Sequence, residues 1–248
     1  MKTLWFSARC GREVLRDKFL MSIGIVFPVA ILLVLSMIAA GIPEDAGMTL
    51  FYPDRLTPGV ASFGLAFFAL FSAFLVAKDR ESAFMMRLLT SPLSAGGFLV
   101  GYILPLVPLA LAQSVMCYLV AMILGLSPSV HILSAIFINI PTALFFIGTG
   151  VVCGLLMNSK QVGGICGALV TNLAGWFSGT WFEPALVGGV FETIANVLPF
   201  VHMVNVGRAA LAGDYGAMFP AMWWVIGYTV LMFGTAAILF MRKMKKGV

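Results

Sequence analysis

Long apolar runs alternate with short polar segments along the whole chain. Six of the runs reach the length of about 20 residues that an α-helix needs to cross a bilayer. The pattern therefore predicts an all-α polytopic membrane protein with six transmembrane helices. The six predicted spans cover residues 20–40, 59–77, 98–124, 132–157, 162–182 and 219–241.

Residues 183–218 hold two further apolar patches, at 184–191 and 194–206, which are too short to cross a bilayer. Pro199 and His202 also interrupt the second patch. We therefore expect a re-entrant segment of short helices that dip into the outer leaflet between the fifth and sixth spans.

Basic and apolar side chains are interleaved in residues 1–19. This pattern predicts an amphipathic helix that lies on an anionic membrane surface, outside the first span. The first apolar run is longer than that of a signal peptide, so it is interpreted as a retained span. The residues that carry the pattern are Lys2, Arg9, Arg12, Arg16 and Lys18, together with Leu4, Trp5, Phe6, Val14, Leu15 and Phe19.

Residues 78–97, KDRESAFMMRLLTSPLSAGG, are too polar to enter a bilayer and too apolar for a plain linker. Asp79 or Ser82 can cap a helix here and Pro92 must end it, which leaves a helix of about two to three turns. Such an amphipathic helix either docks into a groove on another protein or only tethers two spans. One face carries Met85, Leu88 and Leu89, and another carries Arg80, Phe84, Arg87 and Ser91.

Composition and charge agree with a membrane protein and give it an orientation. Hydrophobic residues make up 61% of the 248 positions and charged residues 10%, with a mean hydropathy of +1.04. If both termini are cytoplasmic, only Arg55 and Arg208 of the 15 Lys and Arg lie outside. This asymmetry predicts a multi-pass cell-membrane protein with both termini and residues 78–97 in the cytoplasm. Because the basic residues lie at the ends of apolar runs, we expect no nucleic-acid partner.

The second predicted span carries a stripe of phenylalanines at helical spacing: Phe63, Phe67, Phe71 and Phe74. The stripe could form the wall of a path for apolar or ring-bearing substrates, or it could serve lipid contact and helix packing. In the fifth span, Asn172 and Trp176 lie one turn apart. A mid-membrane amide is costly, so Asn172 should face a partner or a cavity.

Glycines at GxxxG spacing in the fifth predicted span let two helix backbones approach closely. The two pairs are Gly163/Gly167 and Gly175/Gly179. We interpret this helix as the best candidate for packing against a second copy of the subunit.

Catalytic, cofactor and metal sites are not expected. The four cysteines and two histidines have no metal-ligand spacing, and no GxxxxGK[ST] phosphate loop is present. Ser178 and His202 only loosely suggest an intramembrane hydrolase. An ion-coupled secondary carrier or a membrane scaffold is the stronger alternative to a nucleotide-driven transporter.

Three segments together resemble the type-2 ABC transporter permeases. DRESAFMMRLLTSPLS, at 79–94, is similar to their cytoplasmic acidic-basic-Leu-Leu-x-x-Pro segment. FSGTWFEP, at 177–184, resembles the end of their fifth span, and LPFVHMVNVGRAALAGDY, at 198–215, resembles the signature before their last span. The six-span plan, the N-terminal helix and the outer re-entrant helices also match the family, and they imply a type V ABC exporter fold.

The resemblance implies a half-transporter that pairs with a second permease subunit, identical or related, and with separate ATPase subunits that hold ATP and Mg. Its cargo would be drug-, lipid-, peptide- or glycan-like. The translocation path would run between the permease subunits and include Phe63, Phe67, Phe71, Asn172 and Trp176. The segment 78–92 would be the coupling helix, which contacts the ATPase through Arg80, Glu81, Phe84, Met85, Arg87 and Leu88.

Overall fold

The fold consists of α-helices. The structure, a computed structural model, describes residues 2–43, 49–82 and 94–246, and no strand occurs in these ranges. A 3₁₀ turn, Thr49–Phe51, precedes the second long helix. The helices are α1 (Lys2–Arg16), α2 (Lys18–Ala40), α3 (Pro53–Glu81), α4 (Gly96–Ile123), α5 (His131–Leu156), α6 (159–176), α7 (Pro184–Val187), α8 (Gly189–Val197), α9 (Pro199–Ala212) and α10 (Tyr215–Lys246).

Five of these helices are long and apolar enough to cross a bilayer: α2, α3, α4, α5 and α10. The count becomes six if α8 and α9, which meet at a bend of 73°, are taken as one span. The predicted all-α membrane architecture is thereby confirmed. Most of the predicted fifth span lies in α6, which ends at Trp176, and the predicted re-entrant segment contains α7, α8 and α9.

The helix α3 forms the centre of the bundle. In its most apolar stretch 89% of the residues are buried, compared with 17% in α2 and 22% in α10. The consecutive residues Phe68, Ala69, Leu70 and Phe71 together face all sides of the helix, and none is more than 6% exposed. A helix that is apolar and buried all round must be enclosed by its neighbours, and α2 and α10 are peripheral by the same measure.

Small residues bring α3 and α5 into close contact. A Cβ atom added at Gly150 would overlap the carbonyl of Ala69 and the hydroxyl of Ser72, and one at Gly154 would lie 2.6 Å from the carbonyl oxygen of Ala73. The Ser72 Oγ also lies 2.9 Å from the carbonyl oxygen of Ile147 on α5. The GxxxG pair that packs inside this chain is therefore Gly150/Gly154, which the sequence analysis did not single out.

Several long helices depart from α-helical geometry. A π-helical turn occupies Ser22–Val26 in α2, and another occupies Ile165–Val170 in α6. The helix α3 is interrupted at Ala66. Each departure replaces part of the regular i to i−4 hydrogen-bond ladder, and π-helical turns of this kind are frequent at functional sites.

Substitution Gly150→Val is expected to destabilise the bundle, because the added side chain has no room against the α3 backbone. Overpacking of this kind costs about 1–3 kcal/mol of unfolding free energy. Unfolding of the detergent-solubilised protein, followed by size-exclusion chromatography after heating, measures the loss. Gly234→Val on α10 is the matched control, because nothing lies within 4 Å of a Cβ at that position. Equal stability of the two variants would contradict the close contact.

Candidate functional site

A cavity of about 490 Å³ lies between α2, α3, α6 and the loop that follows α6. Its wall is mainly aromatic, with one amide and one hydroxyl, and it contains no charged side chain among the residues that the structure describes. Such a surface suits an uncharged guest with apolar or ring-shaped parts. The lining residues are Ile23, Phe27, Phe63, Phe67, Gly167, Thr171, Asn172, Gly175, Trp176 and Trp181.

The aromatic side chains of the wall hold one another edge to face. Phe63 lies with its ring centroid 5.7 Å from that of Phe67 and 5.2 Å from that of Trp181. Phe27 of α2 contacts Phe67 in the same way, at 5.5 Å. Edge-to-face pairs have a preferred geometry, so α2, α3 and the loop after α6 present a continuous, ordered aromatic surface.

Four of the five predicted path residues line this cavity: Phe63, Phe67, Asn172 and Trp176. The fifth, Phe71, is not among the lining residues. Its side chain is 1% exposed, and it packs beside Phe68 with ring centroids 5.0 Å apart. For Phe71 the structure supports the packing interpretation that the sequence analysis left open.

The amide of Asn172 is oriented by its own helix. Its Nδ2 donates a hydrogen bond of 2.8 Å to the carbonyl oxygen of Ala168, one turn earlier. No described residue donates to its Oδ1, and the residue lines the cavity. The amide oxygen is therefore available to accept a hydrogen bond from a guest.

The predicted packing glycines fall in three different environments. Gly167 and Gly175 line the cavity, and a Cβ at Gly175 would lie 3.0 Å from Trp181 Nε1, so glycine lets the indole ring approach α6. Gly163 has only Phe74 near it, at 3.9 Å from an added Cβ. Gly179 lies beyond the end of α6 with φ +74°, a backbone conformation that favours glycine.

Irregular helix geometry is concentrated around the same cavity. Ile23 belongs to the π-helical turn of α2, and Gly167 belongs to that of α6. Phe63 and Phe67 flank the interruption of α3 at Ala66. Because these turns bind fewer of their own backbone groups in the regular ladder, the cavity wall is built from the parts of three helices that are best able to rearrange.

The last residues of α3 bind the turn between α5 and α6. Arg80 donates to the carbonyl oxygen of Leu155 and, at 2.7 Å, to that of Met157. The carboxylate of Glu81 accepts from the backbone N–H and the hydroxyl of Ser159, each at 2.7 Å. Of the predicted coupling residues, Arg80 is thus attached to the end of α5 and Glu81 to the start of α6, the helix that supplies one wall of the cavity.

The other predicted coupling residues, Phe84, Met85, Arg87 and Leu88, lie outside the residues that the structure describes.

The start of α6 itself is well capped. Asn158 and Gln161 form a reciprocal capping box, in which each side chain accepts a hydrogen bond from the other residue's backbone N–H. Glu81 adds a third acceptor at this helix start, where a negative charge is favourable.

Polar contacts also close the opposite end of the bundle. Arg55 and Glu183 form an ion pair of 3.3 Å. Arg208 of α9 donates to the carbonyl oxygens of Arg55, at 3.1 Å, and Gly179, at 2.8 Å. These bonds connect α9 with the start of α3 and with the loop that follows α6. Polar contacts therefore lie at both ends of the helices that line the aromatic cavity.

Ser178 and His202, the residues behind the hydrolase alternative, have other partners. The Ser178 hydroxyl lies 2.7 Å from that of Thr180, and the His202 Nε2 lies 2.8 Å from the carbonyl oxygen of Asn196. The His202 ring is stacked on Trp224. Each residue is held by neighbours in its own part of the fold, which gives the hydrolase alternative no support.

Four residues that line the cavity were missed from the sequence: Ile23, Phe27, Thr171 and Trp181. Trp181 lies in the quoted FSGTWFEP segment, so its aromatic character was a usable signal. Phe27 gave none, since it is one apolar residue among many in its run. The π-helical turns of α2 and α6 also change which side chains face inward, and regular helical spacing cannot anticipate such a change.

Comparison with protein families shows what the chain is similar to. A family model described as ABC-2 type transporter matches residues 2–212, which extend from the start of α1 to the end of α9. No curated protein matches the chain.

Substitution Glu81→Ala is expected to loosen the start of α6, because the Ser159 N–H and hydroxyl both lose their acceptor. We expect hydrogen exchange of the backbone amides in the peptide 158–164 to become roughly tenfold faster, as for the loss of a charge-assisted hydrogen bond. Hydrogen–deuterium exchange mass spectrometry measures this rate. Glu192→Ala, at the other end of the bundle, is the control. Unchanged exchange in the Glu81 variant would contradict the link.

Proposed function

The chain belongs to the ABC-2 type transporter family, and we propose that it is the membrane-spanning subunit of an ATP-driven exporter. ATP and Mg bind to a separate ATPase subunit, which supplies the energy. The observation that carries this proposal is the uncharged aromatic cavity between α2, α3 and α6, two of whose helices are joined by Arg80 and Glu81 at the base of the predicted coupling segment.

The cavity is proposed to be part of the translocation path. Its lining offers aromatic faces and one free amide oxygen but no charge, so a carboxylate or phosphate would lose its hydration without a compensating cation. Flat rings, acyl chains and neutral sugar rings can all rest on aromatic faces. The proposed cargo is therefore drug-, lipid-, peptide- or glycan-like, with its uncharged portion in the cavity.

Energy is proposed to enter through the coupling segment. The residues Arg80, Glu81, Phe84, Met85, Arg87 and Leu88 would rest against a cleft of the ATPase subunit. ATP binding there would move this segment, and α3 and α6 would follow because Glu81 holds Ser159. Rigid-body movement of packed helices then opens the cavity to the outside.

A second permease subunit, identical or related, is proposed to complete the path. Trp176 lines the cavity and is 57% exposed, so the cavity is incomplete within one chain. A Cβ at Gly164 on the same helix would meet nothing within 4 Å, which leaves room for close approach of another helix. The path between two subunits would then present two aromatic walls to the cargo.

The chain is proposed to lie in the cell membrane with both termini in the cytoplasm. The excess of basic residues at the α1 end supports this orientation. One face of α1 is buried against the bundle through Phe6, Cys10 and Val14, whereas Leu4 and Trp5 are exposed beside Arg12. An exposed face of mixed apolar and basic side chains suits the anionic headgroup region of the inner leaflet.

Copurification with an ATPase subunit tests the class of transporter. We expect an ABC ATPase to remain bound in mild detergent and its activity to rise with substrate after reconstitution. The double substitution Glu81→Arg with Arg87→Glu should abolish both, because it inverts the charges that the coupling segment presents. Transport by the chain alone, driven by an ion gradient, would instead support a secondary carrier.

Substitution Phe63→Ala tests the cavity. The substitution removes an aromatic face on which the cargo would rest, and such a contact is worth about 1 kcal/mol beyond the burial of its area. The substrate concentration for half-maximal ATPase stimulation should therefore rise about fivefold. Phe137→Ala is the matched control, since Phe137 is 59% exposed and does not line the cavity. Equal responses of the two variants would contradict the proposed path.

A further inference from the structure

Asp79 is a buried carboxylate at the last turn of α3, and the sequence analysis considered it only as a helix cap. It is 2% exposed. Both of its oxygens are bound by one guanidinium, since Arg9 Nη1 donates to Oδ2 at 2.6 Å and Arg9 Nη2 to Oδ1 at 2.7 Å. Tyr102 of α4 donates its hydroxyl to Oδ2 at 2.9 Å. A single carboxylate therefore binds α1 and α4 to the end of α3.

This arrangement has the geometry of a stiff connection. A bidentate arginine–carboxylate pair fixes both distance and orientation, because the planar guanidinium matches the two carboxylate oxygens. The pair is protected from water on the carboxylate side, so solvent screens it less than a surface ion pair. If either partner moved away alone, a buried charge would lose its compensation, which strongly opposes separate movement of α1 and α3.

Apolar contacts pack α1 against α4 beside Asp79. The Phe6 ring lies edge to face with Phe98, at 5.6 Å, and with Tyr102, at 4.9 Å. A Cβ at Gly101 would overlap the Phe6 ring, so glycine lets this ring settle against α4. The helix α1 is thus packed on α4 by its aromatic side chain and bound to α3 by its arginine.

The position of Asp79 in the chain connects this pair to the coupling segment. Lys78 lies 4.0 Å from Asp17, which follows α1, and Asp79 binds α1 itself. The next two residues, Arg80 and Glu81, bind the turn that begins α6. Of the four consecutive residues that end α3, the first two therefore contact the N-terminal segment and the last two bind the turn between α5 and α6.

We propose that Asp79, acting through Arg9, is a positioning residue for energy coupling, which makes α1 move as one body with the end of α3. On this proposal α1 is a driven part of the transporter rather than a passive membrane anchor. The inference rests on the proposed function, because it assumes that an ATPase subunit moves the segment after residue 82. It adds a specific connection between that segment and the N-terminal helix.

The test uses the whole transporter with its ATPase subunit in lipid nanodiscs. Asp79→Asn keeps the shape of the side chain and removes its charge. We expect the ATPase subunit to copurify as before, whereas the stimulation of ATPase activity by substrate falls at least fivefold. Asp214→Asn is the matched control, because Asp214 is an exposed acid at the start of α10, it accepts a hydrogen bond from the Ala217 N–H, and asparagine also caps a helix start.

A distance measurement separates this role from a merely structural one. Spin labels at Arg12→Cys on α1 and Lys160→Cys on α6 report whether the two helices move together between nucleotide states. The native cysteines are buried, and burial together with the charge of Asp79 raises the pKa of the Cys10 thiol to about 12, so labelling is selective for the introduced sites. Because α1 and α6 are both attached to the end of α3, we expect one narrow distance that is the same in both nucleotide states in the parent protein, and a broad distribution that changes with ATP in Asp79→Asn.

Two further variants keep the test decisive if Asp79→Asn fails to fold. Arg9→Lys retains the positive charge but not the two parallel hydrogen bonds, and it should also lower the stimulation. The double variant Arg9→Gln with Asp79→Asn should lower the stimulation of ATPase activity no more than either single change, because the two residues act as one unit. Full stimulation and an unchanged distance in the folded variants would overturn the inference. Absence of a bound ATPase from the parent protein would overturn the proposed function instead.

Discussion

Close backbone contact between α3 and α5 is the constraint on which the rest of the bundle depends. Gly150 and Gly154 let the two helices approach until the Ser72 hydroxyl reaches the carbonyl of Ile147. Lipid tails are as apolar as the side chains, so hydrophobic burial drives helix association weakly in a bilayer, and close packing must supply the stability. With α3 held in this way, its Phe63 and Phe67 side chains face α2 and α6, and its end presents Asp79 to α1.

Charge and aromatic surface are separated along the bundle. The described ion pairs lie at the two ends, where Arg9 meets Asp79 and Arg55 meets Glu183. The cavity between these ends is lined by rings, glycines and two small polar groups. This separation matches the cost of burying charge in a bilayer, and on the proposed function it assigns movement and recognition to different residues. Electrostatic contacts at the ends would then rearrange while the middle keeps an uncharged surface for the proposed cargo.

Much of this organisation could be predicted from the sequence, for reasons that concern single helices. The apolar runs predict the long helices, because run length and bilayer thickness are directly linked. Helical spacing placed Phe63 and Phe67 on one stripe and Asn172 and Trp176 one turn apart. The family resemblance implied that the two pairs share a path, and they do line one cavity. The segment after Lys78 drew attention through its polarity, although most of it lies outside the described residues.

Contacts between distant parts of the chain could not be predicted. Arg9 and Asp79 are 70 positions apart, and several basic residues of α1 were equally plausible partners for an acid. The Gly150/Gly154 pair has the same spacing as the pairs in α6, so spacing alone cannot tell which glycines pack within the chain. Phe71 shares the stripe of Phe67 but packs in the interior, since the interruption at Ala66 and the close approach of Gly24 alter the environment along α3.

The π-helical turn at Ile165–Val170 has a consequence for how selectivity can change between related transporters. Such a turn holds one residue more than an α-helical turn, so the side chains before and after it are offset relative to a regular helix. Removing a single residue there would restore the regular ladder, because the turn accommodates one residue more than the helix on either side requires. One codon gained or lost in this turn could therefore change the wall of the proposed path beside Gly167 while leaving every other helix in place.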